Sequence, residues 1–117
     1  MKKIEAIIKP YRLEEVRQTL SEIGVTHIIA QEVKGYGRRM NPVSLYKTKK
    51  GTNIILECVP KVEIYIIVED EIAEKVVDCI IKAASSVEIG DGKIFITEVY
   101  DSIDIRSGER GYCGNPG

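Results

Sequence analysis

Two stretches of the chain carry the same patterns in the same order, and that duplication restricts the fold more than any other feature. Residues 3–9, KIEAIIK, alternate as a strand does and stop at Pro10. Residues 11–24, YRLEEVRQTLSEIG, then set Leu13, Val16, Leu20 and Ile23 at spacings of 3, 4 and 3 before Gly24, which predicts a helix with one apolar face. Residues 25–35, VTHIIAQEVKG, return as a β-branched strand closed at Gly35. The second half opens on KVEIYIIV (61–68), with the same Lys-apolar-Glu start. It continues with DEIAEKVVDCIIKAA (70–84), which places Ile72, Val76, Ile80 and Ala84 on one face and acids in its first turn, and closes on KIFITEVY (93–100). Two βαβ units joined by right-handed crossovers make an α+β, ferredoxin-like βαββαβ domain. Its four-stranded antiparallel sheet carries two helices on one face. The 117 residues suffice for one such domain, spanning 1–117. The other sheet face is left bare, and a run such as EIYIIVE is too apolar for water, so either a partner subunit or a ligand covers it, and homo-oligomerisation is expected.

Charge and cysteine usage remove several function classes. A net charge of −1 and a pI near 5.9 provide no global field for nucleic acid or membrane, so electrostatic recognition must be local. MKKIEAIIKP begins like a secretory leader, but Glu5 and Lys9 interrupt its apolar run short of the roughly 7–15 residues required, and a cytoplasmic location is expected. Cys58, Cys79 and Cys113 form no C-x-x-C pair, and His27 is the single histidine, which argues against zinc or any other metal. Cys58 and Cys79 read as small core residues, and Cys113, in a glycine-rich end, as the one in a reactive setting.

Between the halves runs GYGRRMNPVSLYKTKKGTN (35–53), longer than a hairpin needs and without period. It holds Arg38, Arg39, Lys47, Lys49 and Lys50 and no acid. Either it is a solvated, mobile loop or it meets an anion or an acidic surface. KGYG (34–37) mimics an RNA-recognition signature, but Arg38 stands where the next aromatic belongs and Phe95 is the only phenylalanine, so no nucleic-acid partner is expected. No nucleophile–base pair suggests an enzyme. GDGKIF (90–95) precedes a strand and lacks the Lys-Ser/Thr ending of a Walker loop, yet its backbone donors beside Lys93 suit a phosphate.

Taken together, KKIEAIIKP, EVKGYGR, PKVEI, EIGDGKIF and IRSGERG identify a family: from Met1 to about Gly111 the sequence resembles the PII nitrogen-regulatory signal proteins. The resemblance implies a non-enzymatic homotrimer that binds adenine nucleotides (ATP, ADP or AMP) in clefts between subunits. It implies that Ile7 and Ile67 line the adenine pocket, that Gly35, Tyr36, Gly37 and Arg38 form the loop base beside the nucleotide, and that Gly90, Asp91, Gly92 and Lys93 hold the phosphates. Arg106 would reach in across the subunit boundary, and Lys61 would match the lysine that pairs with 2-oxoglutarate. The loop 36–53, with Arg39, Tyr46, Lys47, Lys49 and Lys50, would dock onto a target protein such as a transporter or a nitrogen-assimilation enzyme.

The sequence also departs from that pattern. Arg39 replaces a glutamine that would supply a magnesium ligand beside 2-oxoglutarate, which counts against both. Ile29 replaces an adenine-contacting threonine, Ile54 replaces the tyrosine that some bacteria modify, and the loop is a few residues longer than usual. Asp104 replaces an arginine, and a carboxylate there would repel outer phosphates by about 1–4 kcal/mol, tilting preference from ATP toward ADP or AMP. The glycine-rich end (107–117), closing on GYCGNPG, partly resembles the tails of PII-like proteins linked to inorganic-carbon uptake. Two other readings therefore stand: a carbon or redox regulator responding to ADP or AMP, and a scaffolding trimer without ligand response.

Overall fold

A computed structural model describes residues 1–40, 54–86 and 90–111. The elements run β1 (Lys2–Ile8), a 3₁₀ turn (Pro10–Arg12), α1 (Leu13–Glu22), β2 (Ile29–Met40), β3 (Ile54–Val68), α2 (Asp70–Ala84) and β4 (Gly92–Glu98). The strands pair antiparallel in the order β2-β3-β1-β4, which is the ferredoxin-like arrangement. Among the described residues, no helix is long and apolar enough to cross a membrane.

Strict alternation builds the core. Ile4, Ala6 and Ile8 of β1 and Val62, Ile64, Ile66 and Val68 of β3 point to the helix side and are buried. They meet Val16 and Leu20 of α1, and Ala73, Val76, Ile80, Ala83 and Ala84 of α2. The expected face of α2 is corrected at one position: Ile72 is 38 % exposed and Ala73 takes its place. The stripe Ala73–Val76–Ile80–Ala83/Ala84 follows the helical period better than one beginning at Ile72, which lies a third of a turn away. Ile64 is fully enclosed, so Ile64→Val is expected to cost about 1 kcal/mol in chemical denaturation, through one lost methyl and the small void it leaves.

The other sheet face is more mixed than the sequence suggested. Of EIYIIVE, Ile64 and Ile66 lie under the helices, and Tyr65 and Ile67 are half-buried on the open side. Charged groups share that side: the Lys3 ammonium sits 4.6 Å from the Tyr65 ring centre and 3.8 Å from the Glu5 carboxylate.

β2 and β3 are also longer than expected. The ladder does not end at Gly35 but runs on through Tyr36↔Cys58 to Met40↔Ile54, so the connection expected at 36–53 begins as strand. β1 covers β3 only as far as Ile8↔Val62, so a two-stranded ribbon, 34–40 against 54–60, projects beyond the four-stranded body. Pro60, which has no N–H to give, falls just past the last β1 pair, where β3 has one neighbour and a missing donor is tolerated. The expectation that Cys58 is a core residue is overturned. It has the parity of Val62 but lies on the ribbon, beyond the helices, and is exposed, whereas Cys79 on α2 is half-buried.

Candidate functional site: a clamped turn at the head of β4

The site is built where the end of β1 meets the start of β4. The register sets Ile8 opposite Gly92 and Ile7 opposite Lys93. Gly92 has φ +123°, and a Cβ there would lie 1.8 Å from the Ile7 carbonyl oxygen, so backbone meets backbone with no room for a side chain. The turn before it is clamped from two directions. The Asp91 carboxylate accepts the Ser86 N–H at 2.8 Å and the Ser86 hydroxyl, and pairs with the Lys9 ammonium at 3.2 Å. The Lys9 ammonium also donates to Ser86 Oγ at 3.3 Å. From the ribbon side, the Lys61 ammonium donates to the Gly90 carbonyl oxygen. The Ser86 hydroxyl and N–H, with a smaller contribution from Lys9, hold the Asp91 carboxyl down to about 2. Asp91 is thus committed inward as a clamp, while Gly90 and Gly92 shape the turn and Lys93 is exposed at its exit.

One hollow borders this turn, and a second lies beyond Lys61 at the root of the ribbon. The first, of about 240 Å³, lies between α2 and β4, lined by Ile8, Ile80, Ala84, Ser85, Asp91 and Lys93 among others. The other, about 730 Å³, is lined by Pro10, Val33, Lys34, Tyr36, Pro60 and Lys61 together with Glu32. Among the described residues, neither Lys61 nor Lys93 has a carboxylate partner, so local positive charge remains beside the turn. No group of three or more His, Cys, Asp or Glu side chains converges as a metal site among those residues.

The other residues singled out in the sequence distribute as follows. Gly35 lies opposite Val59 with the Lys61 stem beside it, so Gly35, Lys61 and Gly90 form one continuous corner. Tyr36 is 72 % exposed opposite Cys58, whose thiol, hydrogen-bonded to the phenol, raises the tyrosine pKa. Gly37, Arg38 and Arg39 continue the β2 backbone opposite Glu57, Leu56 and Ile55. Tyr46, Lys47, Lys49 and Lys50 lie outside the described residues, as does Cys113. Ile7 and Ile67 share the open face, but Ile67 pairs with Lys3, four positions along β1 from Ile7. That is roughly 13 Å, so one chain does not bring the two together. His27 is exposed and shares a hydrogen bond with Thr26 at 3.2 Å.

Arg106 belongs to a separate turn closed by the Ile103↔Arg110 bridge. Asp104, expected to confront phosphate, has its carboxylate engaged within that turn, accepting the Ser107 N–H at 2.8 Å and the Ser107 hydroxyl at 3.0 Å. These bonds hold its carboxyl below the usual range. Sequence reasoning missed Lys9 as a clamp. The available signal was its place one residue past the end of β1, level with the head of the strand that β1 must pair.

Residues 1–109 match the family described as Nitrogen regulatory protein P-II. The chain is 45% identical over 111 residues to Nitrogen regulatory protein P-II of Bradyrhizobium diazoefficiens, covering 95% of this chain and 96% of that one. It is 47% identical over 109 residues to Nitrogen regulatory protein P-II 1 of Escherichia coli, with 93% and 95% covered. A solved structure of Arabidopsis thaliana PII bound to citrate superposes with a TM-score of 0.74 at 34% identity, covering 94% of this chain and 84% of that one.

Proposed function

The chain belongs to the nitrogen regulatory protein P-II family of signal-transduction regulators, and on that premise we propose that it is non-enzymatic and reads an adenine nucleotide held at the clamped turn. The observation that carries this reading is the turn itself. Its backbone is fixed by Asp91 and Lys61, it stands beside two cations that have no carboxylate partner among the described residues, and it borders the hollow between α2 and β4. An anion there meets preorganised donors and unspent positive charge.

In this reading Lys93 meets the phosphates, Gly90 and Gly92 let them approach the backbone, and Arg106 arrives from the adjoining subunit of a homotrimer. The separation of Ile7 from Ile67 within one chain supports a shared cleft, with each adenine lined by Ile7 of one subunit and Ile67 of the next. Gly35, Tyr36, Gly37 and Arg38 sit at the root and along the near half of the ribbon, which presents residues 36–53 to a target protein of nitrogen metabolism. No magnesium is assigned, since Arg39 stands where a glutamine ligand would be. Lys61 would reach 2-oxoglutarate only by leaving the Gly90 carbonyl.

Calorimetric titration with ATP, ADP and AMP tests this. The wild type should bind at least one of the three, as a trimer by light scattering. Lys93→Ala should weaken binding by about 10–100-fold, the worth of a charge-assisted hydrogen bond. No heat with any nucleotide would instead favour a scaffolding trimer.

A further inference from the structure

Segment 101–111 is closed by its own hydrogen bonds. The Asp104 N–H donates to the Glu109 carbonyl at 2.8 Å, the Gly108 N–H to the Asp104 carbonyl at 2.8 Å, and the Gly111 N–H to the Ser102 carbonyl at 2.9 Å. The Arg110 guanidinium grips Asp101 at 2.8 Å, which fastens the far strand of the turn to its start. Within this frame the Asp104 side chain spans Arg106: its Oδ1 takes both the N–H and the hydroxyl of Ser107, while its backbone pairs with Gly108 and Glu109. Ser107 Oγ in turn accepts the Glu109 N–H at 3.2 Å. Among the described residues, no ion pair or side-chain hydrogen bond engages the exposed Arg106 guanidinium, and Asp104 and Ser107 on either side of it are tied to each other.

We propose that Asp104 is a positioning residue for Arg106: its side-chain cap on Ser107 fixes the turn so that the guanidinium is held ready for an anion. This rests on the nucleotide-binding reading given above and extends it to a residue that the sequence cast as an electrostatic obstacle. A carboxylate that accepts two hydrogen bonds inside its turn faces away from an incoming phosphate, and much of its charge is spread onto those donors. Replacing it by arginine, which looks like the restoration of a lost cation, would remove the cap and loosen Arg106.

The two roles separate cleanly under substitution. Asp104→Asn keeps the Oδ1 acceptor and abolishes the charge, whereas Asp104→Ala abolishes both. Each is titrated with ATP and AMP, alone and combined with Arg106→Ala, and hydrogen exchange is read at the Ser107 amide. Asp104→Ala should weaken ATP binding about tenfold, Asp104→Asn should stay within about twofold of wild type, and Asp104→Ala should add nothing once Arg106 is alanine. A selective gain in ATP affinity in Asp104→Asn would overturn the proposal in favour of charge repulsion. A further loss from Asp104→Ala in the Arg106→Ala background would overturn it in favour of general destabilisation. If the wild type binds no nucleotide, the functional reading fails first. The exchange measurement still decides the cap: protection of Ser107 in wild type and Asp104→Asn but not in Asp104→Ala supports it, and equal protection in all three overturns it.

Discussion

Gly92→Ala is expected to remove a large share of the protein's stability, far beyond what a single methyl normally costs. The added Cβ would sit 1.8 Å from the Ile7 carbonyl oxygen and 2.9 Å from its carbon, both backbone atoms of the strand that carries Ile4, Ala6 and Ile8 into the core. No rotamer relieves a clash with backbone, and φ +123° is itself a conformation that side chains resist. β4 must therefore peel away from β1 or drag it out of register. Either outcome should cost about 3–5 kcal/mol, a large share of the roughly 5–15 kcal/mol that holds such a domain together. Gly90→Ala is the informative contrast. Its φ of +91° is also strained, but among the described residues only the Lys61 ammonium lies near, at 4.0 Å, so about 1–2 kcal/mol is expected. Equal denaturation midpoints for the two variants would show that the close approach at Gly92 does not govern.

The largest functional effect is expected from the clamp rather than from a phosphate ligand. Asp91→Ala releases the Ser86 N–H, the Ser86 hydroxyl and the Lys9 ammonium together, so the turn loses its tie to the end of α2 and to the end of β1 at once. Nucleotide affinity should fall by about 100-fold, compounding disorder of the backbone donors with loss of the ion pair to Lys9. The pH dependence has a definite sign. Because the folded carboxyl lies at about 2, below its value of roughly 3.9 in an unfolded chain, its contribution to folding stability is complete above about pH 4 and fades as pH falls toward 2. Asp91→Asn keeps an acceptor for the Ser86 N–H, loses the ion pair, and should show an intermediate affinity without that acid transition. Binding of Asp91→Ala as tight as wild type would remove Asp91 from any role in shaping the site.

What could be read from the sequence follows from where the determining forces are local. The limits of α2 at Asp70 and Ala84 were legible because acids, apolar period and flanking breaks coincide within its own residues. The sheet order was legible because a duplicated βαβ pattern leaves few ways to pair four strands. The ribbon was not, because residues 36–40 and 54–60 carry no amphipathic alternation and become strand by pairing with one another. Exposure of Cys58 was hidden for the same reason: parity places it on the helix side, but only the lengths of the helices reveal that nothing covers it there. Asp91 and Asp104 were legible as residues of interest, but their partners were not. A carboxylate near a proposed anion site looks like a ligand or an obstacle in one dimension. Only folding shows what each carboxylate meets, Ser86 and Lys9 in one case and Ser107 in the other.

The ribbon that projects past the end of β1 is, mechanically, a cantilever. Its root is the corner where Gly35 lies against the Lys61 stem and the Lys61 ammonium is pinned to Gly90. Along its length two hydrogen-bonded strands resist bending within the ladder but, among the described residues, have no third strand or helix to oppose twist. From Lys34 to Met40 at about 3.3 Å per residue the arm reaches roughly 20 Å, so a rotation of about 10° at the corner sweeps its far end through about 3–4 Å. A small rotation at the root is thereby converted into a displacement of several ångströms at the far end. The gain of that conversion is set by strand length alone, so lengthening or shortening the arm retunes the output without altering the corner that receives the input.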